Sequence, residues 1–333
     1  MLSSDEFRQL AAAGHNRIPV VREVLSDLDT PLSVYLKLAD GPYSYLFESV
    51  EGGETWGRYS IIGLPARRTY SFSGRRLDVR DFGEIVESRE LDDPLAEIDR
   101  LRESFRVPKL PELPAFTGGL VGYFGFETIG WIEPRLDGGG KPDQLGTPDA
   151  LLMLSEEVAV FDNLKGRLYL VVHADTAEPQ AWAKAQRRLD ALVHRLRHAG
   201  ASYPDVLDPS LLKEEDFVSG FTREGFVAAV EQAKDYIRAG DIFQVVLSQR
   251  LSVPFRARPV DVYRALRALN PSPYMFFLRF PLEAGQTEPM HIIGASPEMM
   301  VRFDADTRTA SVRPIAGTAP RGTTPTQDDE NAH

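Results

Sequence analysis

Toward the end of the 333-residue sequence, Pro314-Ile315-Ala316 leads into Gly317 and Thr318, a pairing whose chemistry suits a carboxylate. A glycine lets the backbone approach a ligand closely, and its N–H beside a threonine hydroxyl supplies two donors. The same five residues also read as a strand-to-turn junction in which Gly317 merely permits the bend. Generic catalytic signatures do not decide between the two. The sequence has no P-loop, dinucleotide fingerprint, HExxH or nucleophile elbow, and its six histidines are scattered.

Composition narrows the classes. There is no cysteine, which removes disulfides, thiolate nucleophiles and Cys-ligated zinc together. A net charge of -11 argues against nucleic acid, because binding phosphates needs a surplus of Lys and Arg. The first ten residues, MLSSDEFRQL, are polar and acidic rather than basic followed by an apolar stretch. Apolar runs such as Leu168 to Val172 are far too short to cross a bilayer. The expectation is a soluble, cytoplasmic protein with a sizeable core, 43% of its residues being hydrophobic.

The elements that position these groups follow from apolar periodicity. Leu32–Leu38, Ser44–Phe47, Tyr59–Ile62, Thr69–Phe72 and Leu77–Arg80 are predicted strands, the last two joined by a turn at Ser73-Gly74. Gly118–Phe126, rich in Gly and aromatics, precedes a polar loop at 135–148. Strands resume at Leu151–Leu154, Val158–Phe161 and Leu168–Val172. Pro179–His198 carries Trp182, Ala185, Leu189, Leu192 and Leu196 at helical spacing. Residues 201–216 are expected to link an N-terminal domain, 1–200, to a second, 217–333. Thr222 is the N-cap of a predicted helix with an inner stripe of Phe226, Ala229, Val230, Ala233 and Ile237, ending at Gly240. A strand over Ile242–Val253, a helix over Val260–Leu269 and strands at Tyr274–Phe280, His291–Ile293, Met299–Phe303 and Thr309–Arg313 complete the reading. Many strands with few helices between them predict an α+β fold with mainly antiparallel sheets.

Four longer segments carry a resemblance. They are Leu46-Phe47-Glu48-Ser49 with VEGGETWGRYSIIG after it, the run Gly240 to Ser248 (GDIFQVVLS), Asn270-Pro271-Ser272-Pro273-Tyr274-Met275, and Ser296-Pro297-Glu298-Met299 leading to Arg313-Pro314-Ile315-Ala316-Gly317-Thr318. Together they resemble the signature stretches of anthranilate synthase component I, the large subunit within the chorismate-utilising superfamily, over nearly the whole chain. The fold this implies is an α/β sandwich of mainly antiparallel sheets flanked by helices.

The resemblance implies a substrate, chorismate, whose carboxylate would meet Gly317 and Thr318, with Gln244 in the substrate site. Water-using relatives have Lys at the place of Gln244, and a glutamine takes up no proton at neutral pH. Aminodeoxychorismate-forming relatives have a nucleophilic Lys where this chain has Ala316. Both positions therefore point to ammonia as the attacking species, delivered by a glutamine amidotransferase subunit, giving anthranilate and pyruvate with Mg2+ as cofactor. The resemblance also implies a site for L-tryptophan as feedback inhibitor, at Glu48, Ser49, Arg58, Pro273, Tyr274 and Met275. An amino-acid effector needs an acceptor for its ammonium, donors for its carboxylate and an apolar wall for its side chain.

In this family the catalytic carboxylates, the catalytic His and the metal ligands are expected beyond the position of His333. The chain is therefore expected to be a fragment that does not turn over by itself. Two other readings stand beside this one: an aminodeoxychorismate synthase component I, and a non-catalytic module that binds tryptophan or the amidotransferase.

Overall fold

The computed structural model describes residues 2–50, 57–136, 143–200, 212–255, 257–281, 289–312 and 320–332. The segment carrying Ala316, Gly317 and Thr318 lies outside the described residues.

In chain order the helices are α1 (Ser4–Ala12), α2 (Pro31–Val34), α3 (Pro94–Ser104), α4 (Ala181–His198), α5 (Arg223–Ala239), α6 (Pro259–Leu269) and α7 (Pro325–Ala332). The strands are β1 (Arg17–Leu25), β2 (Ser44–Glu48), β3 (Tyr59–Gly63), β4 (Arg68–Ser73), β5 (Arg76–Asp81), β6 (Glu84–Glu90), β7 (Gly119–Phe124) and β8 (Ala150–Ser155). They continue with β9 (Glu157–Asp162), β10 (Arg167–Asp175), β11 (Val218–Ser219), β12 (Leu251–Ser252), β13 (Tyr274–Arg279), β14 (His291–Ser296), β15 (Arg302–Asp304) and β16 (Thr309–Ser311).

Two sheets dominate, of seven strands ordered β1-β10-β9-β3-β2-β13-β14 and of five ordered β6-β5-β4-β8-β7. Every pairing in them is antiparallel, as the strand-rich, helix-poor pattern predicts.

Each sheet buries both faces along its central strands. On one face of the seven-stranded sheet, Ala181, Ala185, Leu189, Leu192 and Leu196 of α4 pack with Ile18, Val20, Leu168 and Leu170. The opposite face meets the five-stranded sheet, where Tyr45, Leu278 and Phe280 join Val121, Leu151 and Met153. The far face of the five-stranded sheet lies under α3, with Ile98 and Leu101 against Phe72, Leu77 and Leu152. Covering both faces removes the usual alternation, so β8 is buried at all six positions.

Compactness groups Met1–Ser202 with Tyr263–His333 as one unit and Tyr203–Val262 as another. That partition differs from the expected split at 201–216. The reason is that β13 hydrogen-bonds into the N-terminal sheet beside β2. In the smaller unit Thr222 caps α5, its Oγ1 accepting from Gly225 N at 3.0 Å, and Gly240 ends it at φ 82. Within that helix no residue is fully buried, and Ile237 at the end of its apolar stripe is 44% exposed.

Two expected strands are corrected. Leu32–Leu38 is helical: α2 is followed by a π-turn over Tyr35–Ala39. Thr30 and Ser33 form a reciprocal capping box and Pro31 opens the first turn, start signals that outweigh a short apolar run. Over Ile242–Val253 only Leu251 and Ser252 form a strand, paired with Val218 and Ser219. Apolar β-branched residues there find no longer ladder among the described residues. Among those residues, too, no helix is long and apolar enough to cross a membrane.

Two glycines are required by close approach. A β-carbon on Gly63 would stand 1.9 Å from the Tyr45 ring, and one on Gly294 would stand 2.2 Å from the Phe276 ring. Each pair is directly cross-strand, so the aromatic ring lies over its partner's bare backbone. Gly63→Ala is expected to destabilise the chain by about 1–3 kcal/mol through overpacking, read as a lower urea midpoint at unchanged slope.

Candidate functional site

The ladder of β2 with β13 opposes Glu48 to Met275 and Phe47 to Phe276. It brings two sequence segments, 46–49 and 273–276, to one end of the larger sheet. There, between the two sheets, lies a cavity of about 690 Å3. Phe47, Tyr59, Ile61, Phe276, Leu278 and Ile292 form its wall on one side, with Gly122, Tyr123 and Phe124 opposite. Glu48, Ser49, Pro273, Tyr274 and Met275 also line it. The structure thus brings together five of the six residues expected to hold tryptophan. Volume and lining are those of a site for a small, mostly apolar ligand with a few polar contacts.

The lip of the cavity is tied by polar bonds. Val50 N donates to Ser272 O at 3.2 Å, and Ser272 Oγ donates to Ser296 O at 2.5 Å. Ser49 Oγ is inaccessible to water and has no partner among the described residues. An unpartnered buried hydroxyl costs roughly 1–3 kcal/mol, which a ligand donor or acceptor would recover.

Glu48 is 4% exposed and is held from the other side of β2. Tyr263 Oη donates to its Oε2 at 2.6 Å, while Arg267 Nε donates to Oε2 at 3.2 Å and Nη2 to Oε1 at 3.3 Å. Burial first, and then the adjacent Glu48 charge, hold the Tyr263 phenol protonated well above its ordinary range.

Arg58 is not in the lining. Its guanidinium spans the buried Asp162, Nε at 3.2 Å from both oxygens and Nη2 at 2.8 Å, and lies 4.8 Å from the centre of the Tyr59 ring. Burial raises the Asp162 carboxyl, but Arg58 and the Lys165 N–H outweigh it and hold the group below its usual range. Arg58 is thus committed to a fixed anion one residue from the cavity wall. Gln244 is exposed in the irregular segment after α5, within the unit Tyr203–Val262. Gly317 and Thr318 fall outside the described residues.

The aromatic wall was not singled out from sequence, although its signal is there. Phe47 lies two residues from Tyr45 and Phe276 two from Tyr274, the strand period that places side chains on one face. Tyr263 and Arg267, four apart, share one face of α6.

Residues 50–333 match the family model described as chorismate binding enzyme. The chain belongs to the chorismate binding enzyme family. It is 48% identical over 328 residues to anthranilate synthase component 1 of Pseudomonas putida, covering 98% of this chain and 65% of that protein. Against the component 1 of Neisseria meningitidis serogroup A it is 50% identical over 334 residues, 99% of this chain and 65% of the relative. The chain therefore spans just under two thirds of the length of these curated family members. The crystal structure of anthranilate synthase component I from Streptococcus pneumoniae TIGR4 superposes with a TM-score of 0.60 at 30% identity, covering 85% of this chain and 59% of that one. The expected architecture, antiparallel sheets flanked by helices, is that of this family member.

A second crevice, of about 390 Å3, runs from Leu152 and Leu154 to Arg17, Glu156 and His173. His173 Nε2 lies 2.9 Å from Thr117 O, within reach of donating to it. Burial, with a smaller contribution from the Arg17 charge, pulls the imidazole down to about 4. The charged groups facing it are Arg17 and the Glu156 and Asp175 carboxylates that Arg17 bridges at 2.9 and 2.8 Å. With the folded value below the unfolded one, the unfolded chain binds the extra proton first. The stability held above the unfolded value is then lost as pH falls toward 4. His173→Gln, which keeps a donor for Thr117 O, is expected to lose roughly 1–3 kcal/mol less than the parent chain between pH 6.5 and 4. Urea titrations across that range check this.

Proposed function

We propose that this chain belongs to an anthranilate synthase large subunit, acting on chorismate and ammonia, and that the cavity is its site for L-tryptophan as feedback inhibitor. The observation that carries the second half is the convergence of Glu48, Ser49, Pro273, Tyr274 and Met275 on one aromatic-walled cavity. Carboxylate, hydroxyl and apolar wall are the parts an indole-bearing amino acid needs. Arg58 is not proposed as a direct contact, because it does not line the cavity and its Nε and Nη2 are turned to Asp162.

The first half is supported by 48–50% identity to component 1 proteins over nearly the whole chain. Within the superfamily, Gln244 in place of a general base and Ala316 in place of a lysine nucleophile favour ammonia over water or an enzyme amine. Gly317 and Thr318 are proposed as chorismate contacts, and the ammonia source as a glutamine amidotransferase subunit. The division into domains 1–200 and 217–333 is proposed for the family's full-length protein. Magnesium finds no ligand set here: among the described residues no group of three or more His, Asp or Glu is placed to hold a metal ion. No step is assigned to it.

Two measurements test these statements. Calorimetric titration of the 333-residue chain with L-tryptophan is expected to show one site. Ser49→Ala is expected to weaken it about tenfold, the worth of a hydrogen bond to a charged group. No heat with the parent chain would sink the regulatory reading. A polypeptide extended to the relatives' length, given chorismate, ammonium and magnesium, is expected to form anthranilate, followed by its fluorescence. Chorismate left intact would overturn the catalytic reading.

A further inference from the structure

The crevice beside His173 is built from another part of the fold than the tryptophan cavity, and of its lining only Phe124 is shared. Ile98 comes from α3, Phe105 from the residue that ends it, Leu120 from β7, Leu152 and Leu154 from β8, and His173 from β10. All but the last are apolar, and the polar groups gather at the His173 end. Its volume of about 390 Å3 falls within the range of small-molecule sites, roughly 300–1,000 Å3.

At that end one acceptor stands open. Thr117 O, 2.9 Å from His173 Nε2, can only accept, so Nε2 carries the ring proton. Gly118 keeps the two together: at φ 145, a β-carbon there would stand 2.5 Å from Ser155 O and 3.0 Å from His173 Nε2. Burial holds the imidazole neutral, and in a neutral ring the second nitrogen, Nδ1, is an acceptor. Among the described residues nothing donates to Nδ1, and the atom is not sealed from water as the Ser49 hydroxyl is. The charges nearby are committed to one another. Arg17 bridges Glu156 at 2.9 Å and Asp175 at 2.8 Å, and Arg102 pairs with Asp99 and Glu103. The Arg17 guanidinium also lies 5.7 Å from the centre of the Phe105 ring, on the crevice wall.

We propose that this crevice is a second ligand site, for a neutral molecule of one aromatic ring bearing a hydroxyl, the ring lying among the apolar walls and the hydroxyl donating to His173 Nδ1. Phe105 and Phe124 supply aromatic surface for such a ring. A charged ligand fits worse. Entry would strip it of water, an anion would meet two carboxylates for one guanidinium, and a cation would meet that guanidinium. A ring without the hydroxyl would leave Nδ1 desolvated and unbonded. The inference stands apart from the tryptophan reading, because it uses neither Glu48 nor Ser49.

The test titrates the 333-residue chain with p-cresol and with p-xylene, which has the same shape and a methyl in place of the hydroxyl. p-Cresol is expected to bind about fivefold more tightly, the worth of one net hydrogen bond. In a chain labelled with isotopic nitrogen, the His173 Nδ1 resonance is expected to move with p-cresol and to stay with p-xylene. Val107→Trp fills the crevice from a residue already 38% exposed and is expected to remove the binding that moves Nδ1. His173→Phe is expected to bring p-cresol down to the level of p-xylene. Thermal unfolding shows whether each variant is folded, and if His173→Phe is not, the ligand pair and Val107→Trp still decide. Equal affinities, a stationary Nδ1 resonance, or p-cresol binding untouched by Val107→Trp would each overturn the inference. Tighter binding of p-toluate or benzylammonium than of p-cresol would overturn it as well. None of these outcomes bears on the tryptophan titration.

Discussion

A short antiparallel ladder, from Met275↔Glu48 to Arg279↔Ser44, joins the C-terminal part of the chain to its N-terminal sheet. Without it β2 would end in an open edge, and the cavity would lose the wall that Phe276 and Leu278 provide. The ladder also sets register. A one-residue slip would turn Phe276 toward the helices and Phe277 toward the cavity, exchanging a wall residue for one that braces Tyr263. Position and chemistry are therefore fixed by the same hydrogen bonds.

Around that ladder the polar groups fall into two kinds. Asp162 with Arg58, and Glu156 and Asp175 with Arg17, neutralise charge at strand ends and leave little capacity for a ligand. Ser49 differs, since its hydroxyl retains hydrogen-bonding capacity inside a dry boundary. Buried polar groups are normally satisfied, so retained capacity at a cavity lip is the mark that separates a ligand site from a structural ion pair.

Much of this was legible in sequence where pattern and burial agree. The Ser73-Gly74 turn, the strands around Asn163–Gly166, the amphipathic α4 and the Thr222 and Gly240 caps all follow from local chemistry that tertiary packing does not contradict. Leu32–Leu38 reads as a strand from sequence because a short apolar run has no period, while the decisive signal lies in Thr30, Pro31 and Ser33. Strand β6 escaped notice for the opposite reason: an edge strand exposed at almost every position carries no apolar alternation. At the site, the motif residues were legible as a group, but their roles were not. That Arg58 would be taken by Asp162, and Glu48 by Tyr263 and Arg267, depends on partners more than one hundred positions away.

That separation also bears on biogenesis. A ribosome adding about 5–20 residues per second needs roughly ten to fifty seconds to travel from β2 to β13. Throughout that interval the hairpin formed by β2 and β3 has one side unpaired, with Tyr45 and Leu46 waiting for their cover. The nascent chain is thus most vulnerable to chaperone capture or mispairing in mid-synthesis, and the cavity between the sheets is closed only once β13 has emerged.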